Sequence, residues 1–376
     1  MGLTRAHLKR CFVAAATVGV VVSAAAVRLA GAQTIEQRLS KVAADIFSTG
    51  AHADADIAEL KAILAEDPKS ATAHTLLGVA YLTKRSPDLV GEAVGELRQA
   101  ISLDPSLVPA RIYLARLYLD LGRPERAIEE LQAALTVMPG QPQVLALLGE
   151  SQRQSGKPDA ALDLTAQALK SDPSLMEARY YQGLALIDLK RRDEAIAAFE
   201  AVLAGGSKRP EVYASLGSAY LDAGRLDAAI TSLTDGITLD PSRPAVVIQL
   251  ARAYRLKGQL AKADTWLTRA RSIAPATAVS AADQQIQRDL AFEEGLIRLK
   301  QVQLAAAARD FKQAVDLDPN YGLGYRYLAE VYLRQGLYSK ALDEATRAEA
   351  LGSPLPDDLQ KTLRDKARGG PAKRPA

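Results

Sequence analysis

Small and apolar residues recur along this chain in blocks of 34 residues, seven of them in step and an eighth with a short insertion. In one block the small residue Ala115 precedes a large residue, Tyr118, by three positions. Ala127, Leu131 and Ala134 continue the block at spacings of four and three. Such spacings place residues on one face of an α-helix. Each block therefore predicts two consecutive amphipathic helices that pack against each other through these faces.

Glycines and Asp-Pro pairs mark the ends of the predicted helices. A glycine, which adopts the left-handed conformation of a helix C-cap without strain, separates the two helices in five blocks. Proline lacks a backbone N–H and clashes with the preceding turn, so Asp-Pro pairs end the second helices. The sequence therefore predicts helix–turn–helix units. The glycines are Gly122, Gly156, Gly224, Gly258 and Gly336, and the Asp-Pro pairs begin at Asp104, Asp172, Asp240 and Asp318.

The small, aromatic, alanine and proline positions of these blocks resemble the tetratricopeptide repeat (TPR) family. The resemblance implies an all-α fold, a right-handed α-solenoid of about eight stacked antiparallel helix pairs. Some blocks depart from the family pattern. Gln152, Leu186 and Arg298 stand where a large aromatic residue is expected, and Ser207 stands where proline is expected.

The repeat pattern divides the chain into segments. Residues 71–353 form the predicted TPR array, with an insertion at about residues 276–287 that we expect to lengthen a turn or a helix. Residues 33–70 carry a weaker version of the pattern and are predicted to form a degenerate capping hairpin. We expect residues 354–368 to form a closing helix. Residues 369–376 have almost nothing to bury and are predicted to be a disordered tail.

Residues 1–32 have the composition of a secretory signal. Arg5, Lys9 and Arg10 precede an apolar run over residues 12–27, and small residues follow it. At about 1.5 Å per residue, a helix of this run is shorter than a hydrocarbon core of about 30 Å. A cleaved signal and a periplasmic or secreted protein are therefore favoured. The alternative is an uncleaved inner-membrane anchor with the repeats facing the periplasm, in which case the protein is membrane-associated.

Charge and cysteine content narrow the range of partners. Removing residues 1–32, which contain four basic residues and no acidic residue, changes the formal net charge from +3 to −1. A nearly neutral chain with no basic stripe along its helices argues against nucleic-acid binding. The single cysteine, Cys11, lies before the apolar run, so the sequence indicates neither a lipid anchor nor disulfides in the mature protein.

Motifs for catalysis, cofactors and metals are missing from the sequence. It contains no phosphate-binding glycine loop, CxxC, HExxH or GxSxG. His52, Asp54 and Asp56 come closest to a metal cluster, but capping of the following helix is the preferred interpretation. Acidic pairs such as Glu293-Glu294 are expected on the solvated face of amphipathic helices. We therefore expect a protein without enzymatic activity, cofactor or metal.

In the TPR family, one stripe of each first helix lines a concave groove. We call the positions three before, one after and four after the small residue the inner stripe. It is predominantly apolar with isolated arginines, a composition that suits an extended peptide or a partner helix. Arginines can form forked hydrogen bonds to carboxylates. The predicted partner-binding residues are Ile112, Arg116, Arg153, Tyr180, Leu184, Ile248, Arg252, Arg255, Phe292 and Arg326.

Two functions are compatible with this stripe. The first is a non-enzymatic protein-interaction scaffold of the cell envelope that holds a protein or peptide partner. The alternative is an accessory subunit of envelope polysaccharide assembly or export, in which Tyr180, Tyr181 and Phe292 stack on glycan, because aromatic faces pack on sugars. The sequence does not name the partner.

Overall fold

The computed structural model describes residues 34–48, 52–84, 86–275, 277 and 280–368. The predicted signal segment and the predicted tail lie outside these residues. Within the described residues the chain forms nineteen α-helices and no strand, and consecutive helices pack in pairs. The predicted all-α fold of antiparallel helix pairs is therefore confirmed.

The chain divides into two compact units, Met1–Ala198 and Phe199–Ala376. Helix α10 spans the boundary between them. The helices of the first unit are α1 (Ile35–Ser48), α2 (Ala53–Glu66), α3 (Ala71–Thr83), α4 (Val90–Leu103), α5 (Val108–Asp120), α6 (Pro124–Val137), α7 (Pro142–Gln154), α8 (Pro158–Ser171), α9 (Met176–Asp188) and the first part of α10 (Arg192–Ala204). The second unit continues with α11 (Pro210–Asp222), α12 (Leu226–Leu239), α13 (Pro244–Leu256), α14 (Leu260–Ile273), α15 (Ala281–Lys300), α16 (Leu304–Leu317), α17 (Gly322–Arg334), α18 (Tyr338–Ala350) and α19 (Asp357–Arg368).

The turns within and between helix pairs have the predicted chemistry. All five predicted C-cap glycines have positive φ angles, as at Gly122 with φ 66°. After Asp104 the chain turns back on itself, because the Asp104 carboxylate accepts a hydrogen bond from the backbone N–H of Ser106 at 2.9 Å. The aspartate side chain therefore stabilises the turn that leads into the next first helix. The same hydrogen bond recurs at Asp172, Asp240 and Asp318.

A small residue brings the two helices of each pair close together. At the centre of α15, a Cβ atom added to Gly295 would lie 2.7 Å from the ring of Phe311 on α16. Phe311 is completely buried, so its ring has no free space into which it could move. This close approach directs the second helix against one face of the first helix, and the inner stripe lies on another face of it.

The two ends of the described chain are also helical. In α2, Leu60 and Ile63 are completely buried, and Arg38 of α1 donates hydrogen bonds of 2.6 Å to Glu59 and Glu66. At the other end, Leu363 of α19 is buried in a cluster with residues of α17 and α18. Both terminal elements therefore cover apolar surface of their neighbours within their own unit.

Helix α15 is 20 residues long, whereas the other helices of the repeats have 13 or 14. It begins with a capping box, in which Ser280 accepts a hydrogen bond from the Asp283 N–H and Asp283 accepts one from the Ser280 N–H. Part of the predicted insertion thus lies in extra N-terminal turns of a first helix.

Two C-cap positions hold a residue other than glycine in the left-handed conformation, Lys190 with φ 60° and Val302 with φ 61°. This conformation costs an L-residue roughly 1–2 kcal/mol, and a β-branched side chain makes it a genuine outlier. Val302 is 70% exposed, so burial of its side chain returns little of that cost.

Val302→Gly is expected to raise the free energy of unfolding by about 1 kcal/mol, because the relief of strain exceeds the added entropy of glycine in the unfolded chain. Urea denaturation followed by circular dichroism measures the change. The reverse substitution at the equivalent position, Gly258→Val, is the matched control and should be destabilising. An unchanged or lower urea midpoint for Val302→Gly would contradict the assigned strain.

Gly295→Ala is expected to destabilise the protein by about 1–3 kcal/mol, because the new methyl group displaces the Phe311 ring. The control is Gly95→Ala in α4, where an added Cβ meets nothing within 4 Å. There the better helix propensity of alanine should stabilise the protein by up to about 1 kcal/mol. If both substitutions stabilise to the same extent, the close approach at Gly295 does not limit the packing.

Candidate functional site

The inner stripe is largely buried within each unit, but not uniformly. The apolar candidates Ile112, Tyr180, Ile248 and Phe292 are 6–9% exposed, and Leu184 is half-buried. The five candidate arginines differ more. Arg116 and Arg255 are buried, Arg153 and Arg326 are half-buried, and Arg252 is exposed. The structure therefore separates residues that hold the stack together from residues that a partner can reach.

In the first unit, Arg116 of α5 binds a carboxylate two first helices away. Its Nη2 atom lies 3.0 Å from both carboxylate oxygens of Glu177 on α9. The Tyr181 hydroxyl donates a second hydrogen bond to Glu177 at 3.0 Å. This buried ion pair links α5 to α9.

Arg153 of α7 is also bound by carboxylates of its own unit. It donates two hydrogen bonds to Glu150, at 2.8 and 2.9 Å, and a third to Asp188 of α9 at 2.8 Å. Burial lowers the pKa of Arg153, but the hydrogen bonds to Glu150 and Asp188 raise it by more, so the pKa lies above its ordinary value. Arg153 is therefore a fixed part of the first unit.

In the second unit, Arg255 of α13 forms a fork with Glu293 of α15. The two hydrogen bonds measure 2.6 and 3.3 Å, and both side chains are less than one-tenth exposed. The expectation that Glu293 and Glu294 lie on a solvated face is wrong, because both are buried. Glu294 accepts a hydrogen bond from Arg271. The physical reason is that α15 packs against both α13 and α14, so these carboxylates face Arg255 of α13 and Arg271 of α14.

Arg252 and Arg326 differ from the other three stripe arginines. Among the described residues, neither has a hydrogen bond or an ion pair with a carboxylate. Arg252 is close enough to the Asp289 carboxylate for its charge to influence the pKa of Asp289. Asp289 nevertheless accepts its hydrogen bonds, of 2.9 and 2.7 Å, from Arg288. The Arg326 guanidinium lies over the Tyr327 ring, 5.5 Å from its centroid. These two arginines retain unused donors.

Four aromatic rings pack together beside these arginines. Phe292 lies at the centre of the cluster, with ring centroids 5.7 Å from Phe311, 5.0 Å from Tyr321 and 5.6 Å from Tyr327. Burial, followed by the nearby Asp289 carboxylate, raises the pKa of Tyr321 well above its ordinary value. In the first unit, Tyr180 and Tyr181 are buried and contact each other at 5.9 Å. Phe292, Phe311, Tyr180 and Tyr181 are buried in their units, whereas Tyr321 and Tyr327 are half-buried and pack against the buried rings.

The group formed by His52, Asp54 and Asp56 does not make the expected side-chain cap. His52 occupies the N-cap position of α2, but its side chain makes no capping hydrogen bond. Asp54 forms an ion pair with Lys84 at 2.5 Å. No group of three metal-ligating side chains converges anywhere in the described part of the chain. In the same residues, no helix combines the length and apolarity needed to span a membrane.

Comparison with known families accounts for the repeated helix pairs. Tetratricopeptide repeat profiles match residues 90–151, 146–210, 220–286 and 292–356, more than half of the chain. The chain belongs to the tetratricopeptide repeat family. Its fold is therefore that of a protein-interaction scaffold, and members of this family generally bind protein partners without catalysing reactions. No curated protein matched the chain.

Solved structures show the same TPR fold. The crystal structure of the APC/C hetero-tetramer Cut9-Hcn1 is similar with a TM-score of 0.66 and 15% identity, over 88% of this chain and 62% of the matched chain. This TPR chain thus spans less than two thirds of that chain's length. PilW, a type IV pilus biogenesis factor, is similar with a TM-score of 0.50 and 17% identity, over 57% of this chain and 97% of its own. At these identities the likeness shows the fold alone.

The carboxylates that bind the stripe arginines were not predicted from the sequence. Arg153 and Asp188 are 35 residues apart, close to one TPR repeat, so residues at related positions of neighbouring first helices lie near each other. Arg255 and Glu293 are 38 residues apart, whereas the small residues of the same two helices, Ala251 and Gly295, are 44 apart. The repeat length could therefore have identified the first pair but not the second. Glu177 lies 61 residues from Arg116, and the sequence carries no such signal for it.

Arg116→Ala is expected to lower the free energy of unfolding by about 3–5 kcal/mol, because it leaves the buried Glu177 carboxylate without its cation. The matched control is Arg126→Ala, which removes an ion pair whose two side chains are 62% exposed and should cost less than about 1 kcal/mol. Urea denaturation measures both. Adding Glu177→Gln to Arg116→Ala should restore part of the loss, and purely additive effects would show that the pair is not coupled.

Proposed function

We propose that this TPR protein is a non-enzymatic scaffold of the cell envelope that binds a peptide or a partner helix along the inner stripe. The observation that carries the proposal is the division among the stripe arginines. Three are bound by carboxylates of their own unit, whereas Arg252 and Arg326 keep unused hydrogen-bond donors. Unused guanidinium donors beside apolar side chains are typical of protein-binding surfaces, where arginine and aromatic residues provide much of the binding energy.

Accessible apolar side chains on the same stripe support the proposal. Leu184 and Ile187 on α9 are half-buried, so each exposes part of its side chain to a partner. An extended peptide or an amphipathic helix can cover such positions at helical spacing. Each unit carries its own part of the stripe, and the proposal applies to each unit separately.

The envelope location rests on the N-terminal sequence. The charged residues and the apolar run of residues 1–32 favour export, with a cleaved signal as the preferred form. A periplasmic or secreted scaffold follows from cleavage, and an inner-membrane anchored scaffold from its absence. N-terminal sequencing of the exported protein distinguishes the two, because cleavage leaves Gln33 at or near the new N-terminus.

The glycan alternative has less support. It requires Tyr180, Tyr181 and Phe292 to present ring faces to a sugar, but these three side chains are 7–9% exposed. Their rings contact other rings of the protein. A sugar would therefore have to displace existing aromatic contacts before it could stack.

Site-specific photocrosslinking tests the proposed location. Peptides selected from a random library for binding to the residue 33–376 protein are incubated with variants that carry a benzophenone amino acid in place of Leu184 or Arg252. Crosslinks are expected at these stripe positions. The controls carry the same group in place of Arg126 on α6 or Arg309 on α16, which are exposed on second helices. Crosslinks confined to the second helices, or a library from which no binding peptide is selected, would refute the proposal.

A further inference from the structure

The unused stripe arginines are both in the second unit. In the first unit, Arg116 binds the Glu177 carboxylate, and Arg153 binds those of Glu150 and Asp188. In the second unit only Arg255 is engaged in this way, by Glu293. An arginine that already binds a buried carboxylate gains no free energy by exchanging it for another carboxylate. The capacity to bind a new anion therefore lies with Arg252 on α13 and Arg326 on α17.

A continuous set of contacts connects the two arginines. Burial raises the pKa of Tyr321, and the charge of Arg252 offsets part of that rise, so the two groups are near each other. The Tyr321 ring contacts Phe292 edge-on at 5.0 Å, and Phe292 contacts Tyr327 at 5.6 Å. The Arg326 guanidinium lies over Tyr327. The aromatic cluster thus forms a packed support with one guanidinium near each end.

Arg326 has guanidinium donors that a partner can use. Its guanidinium lies over the Tyr327 ring, 5.5 Å from the centroid, and binds no carboxylate of the described residues. The Nε atom is buried, so an incoming carboxylate can reach only the terminal Nη groups of this half-buried side chain. A carboxylate at these Nη groups would form hydrogen bonds without displacing another carboxylate.

We infer that the second unit binds an acidic segment of a protein partner, with carboxylates held by Arg252 and Arg326 and apolar side chains placed beside them. The inference rests on the proposed function, because it specifies the chemistry of the partner at the same stripe. Leu256 lies one helical turn after Arg252 on α13 and is 46% exposed, and Leu323 lies one turn before Arg326 on α17 and is 39% exposed, so both offer accessible aliphatic area beside the two cations. The fitting ligand alternates carboxylates with apolar side chains.

A protein segment fits these residues better than an acidic polysaccharide does. Between the arginines the ring of Phe292 is 8% exposed and its faces are occupied by other rings, so a sugar ring has no free aromatic face on which to stack. The accessible remainder consists of aliphatic side chains and guanidinium groups. Leucine or valine side chains can fill such contacts, whereas a uronic-acid polymer offers carboxylates without the apolar groups.

Three fluorescent peptide pools test the inference with the residue 33–376 protein. All three have the same random apolar positions, and the remaining positions are acidic in one pool, amide in the second and basic in the third. Fluorescence anisotropy should show binding of the acidic pool at least about tenfold tighter than the amide pool. Arg252→Ala and Arg326→Lys should each reduce this preference, Arg252→Ala by about tenfold. Equal affinity for the acidic and amide pools, or an unchanged preference in Arg252→Ala, would overturn the inference.

Matched controls separate charge at this site from net charge. Arg309→Ala removes an exposed arginine from the second helix α16 of the same unit and should leave the preference unchanged. An equal loss of the acidic preference in Arg309→Ala would show that the preference comes only from long-range electrostatic attraction. Because Arg252 is exposed, its substitution should leave the fold intact. The urea midpoint of each variant verifies its stability.

The outcomes also distinguish this inference from the proposed function. If crosslinking places selected peptides on the stripe and those peptides show no preference for acidic residues, the scaffold function stands and the partner chemistry is wrong. If polygalacturonate binds through Arg252 and the acidic peptides do not, the ligand is an anionic polysaccharide and the inference fails. If no peptide binds to the stripe, both proposals fail.

Discussion

The close approach of two helices at a small residue is the constraint on which the rest of this protein depends. At Gly295 the ring of Phe311 occupies the space that a Cβ would fill, and at Gly217 the side chain of Leu233 does the same. This contact determines which face of the first helix meets its own second helix. Another face must then meet the next repeat or a partner, because a single hairpin cannot bury its apolar surface alone. The inner stripe is a consequence of that division.

The inner stripe therefore serves two purposes that compete for the same side chains. First helices require contacts with one another, and buried or half-buried arginines provide them by binding Glu177, Asp188 and Glu293 across helix boundaries. Desolvation makes such pairs poor sources of net stability, but their geometry is specific, and breaking one leaves a buried charge. A stripe on which every arginine was engaged in this way would have little left to offer a partner. The second unit keeps two arginines outside this network.

Local sequence patterns predicted most of the fold, but they did not predict most of the contacts between repeats. Helix pairing, the glycine caps and the Asp-Pro turns depend on residues within one block, so the sequence spacing predicted them. The left-handed conformation of Val302 could not be predicted, because no sequence rule places a β-branched residue there. The burial of Glu293 and Glu294 was missed for a related reason, since local amphipathicity does not reveal which neighbouring helix carries the matching arginine. For the site, the sequence predicted the stripe positions, but it could not separate engaged arginines from unengaged ones.

That separation determines where charge can contribute to binding. A partner carboxylate at Arg116 or Arg255 would have to displace a carboxylate that is already positioned and desolvated, with no net gain of hydrogen bonds. Arg326 is half-buried and binds no carboxylate of the described residues. An incoming carboxylate at its terminal Nη groups gains hydrogen bonds without displacing another carboxylate. A partner carboxylate therefore contributes more binding free energy at Arg326 than at the arginines that already bind a carboxylate. This difference restricts an acidic partner to the second unit.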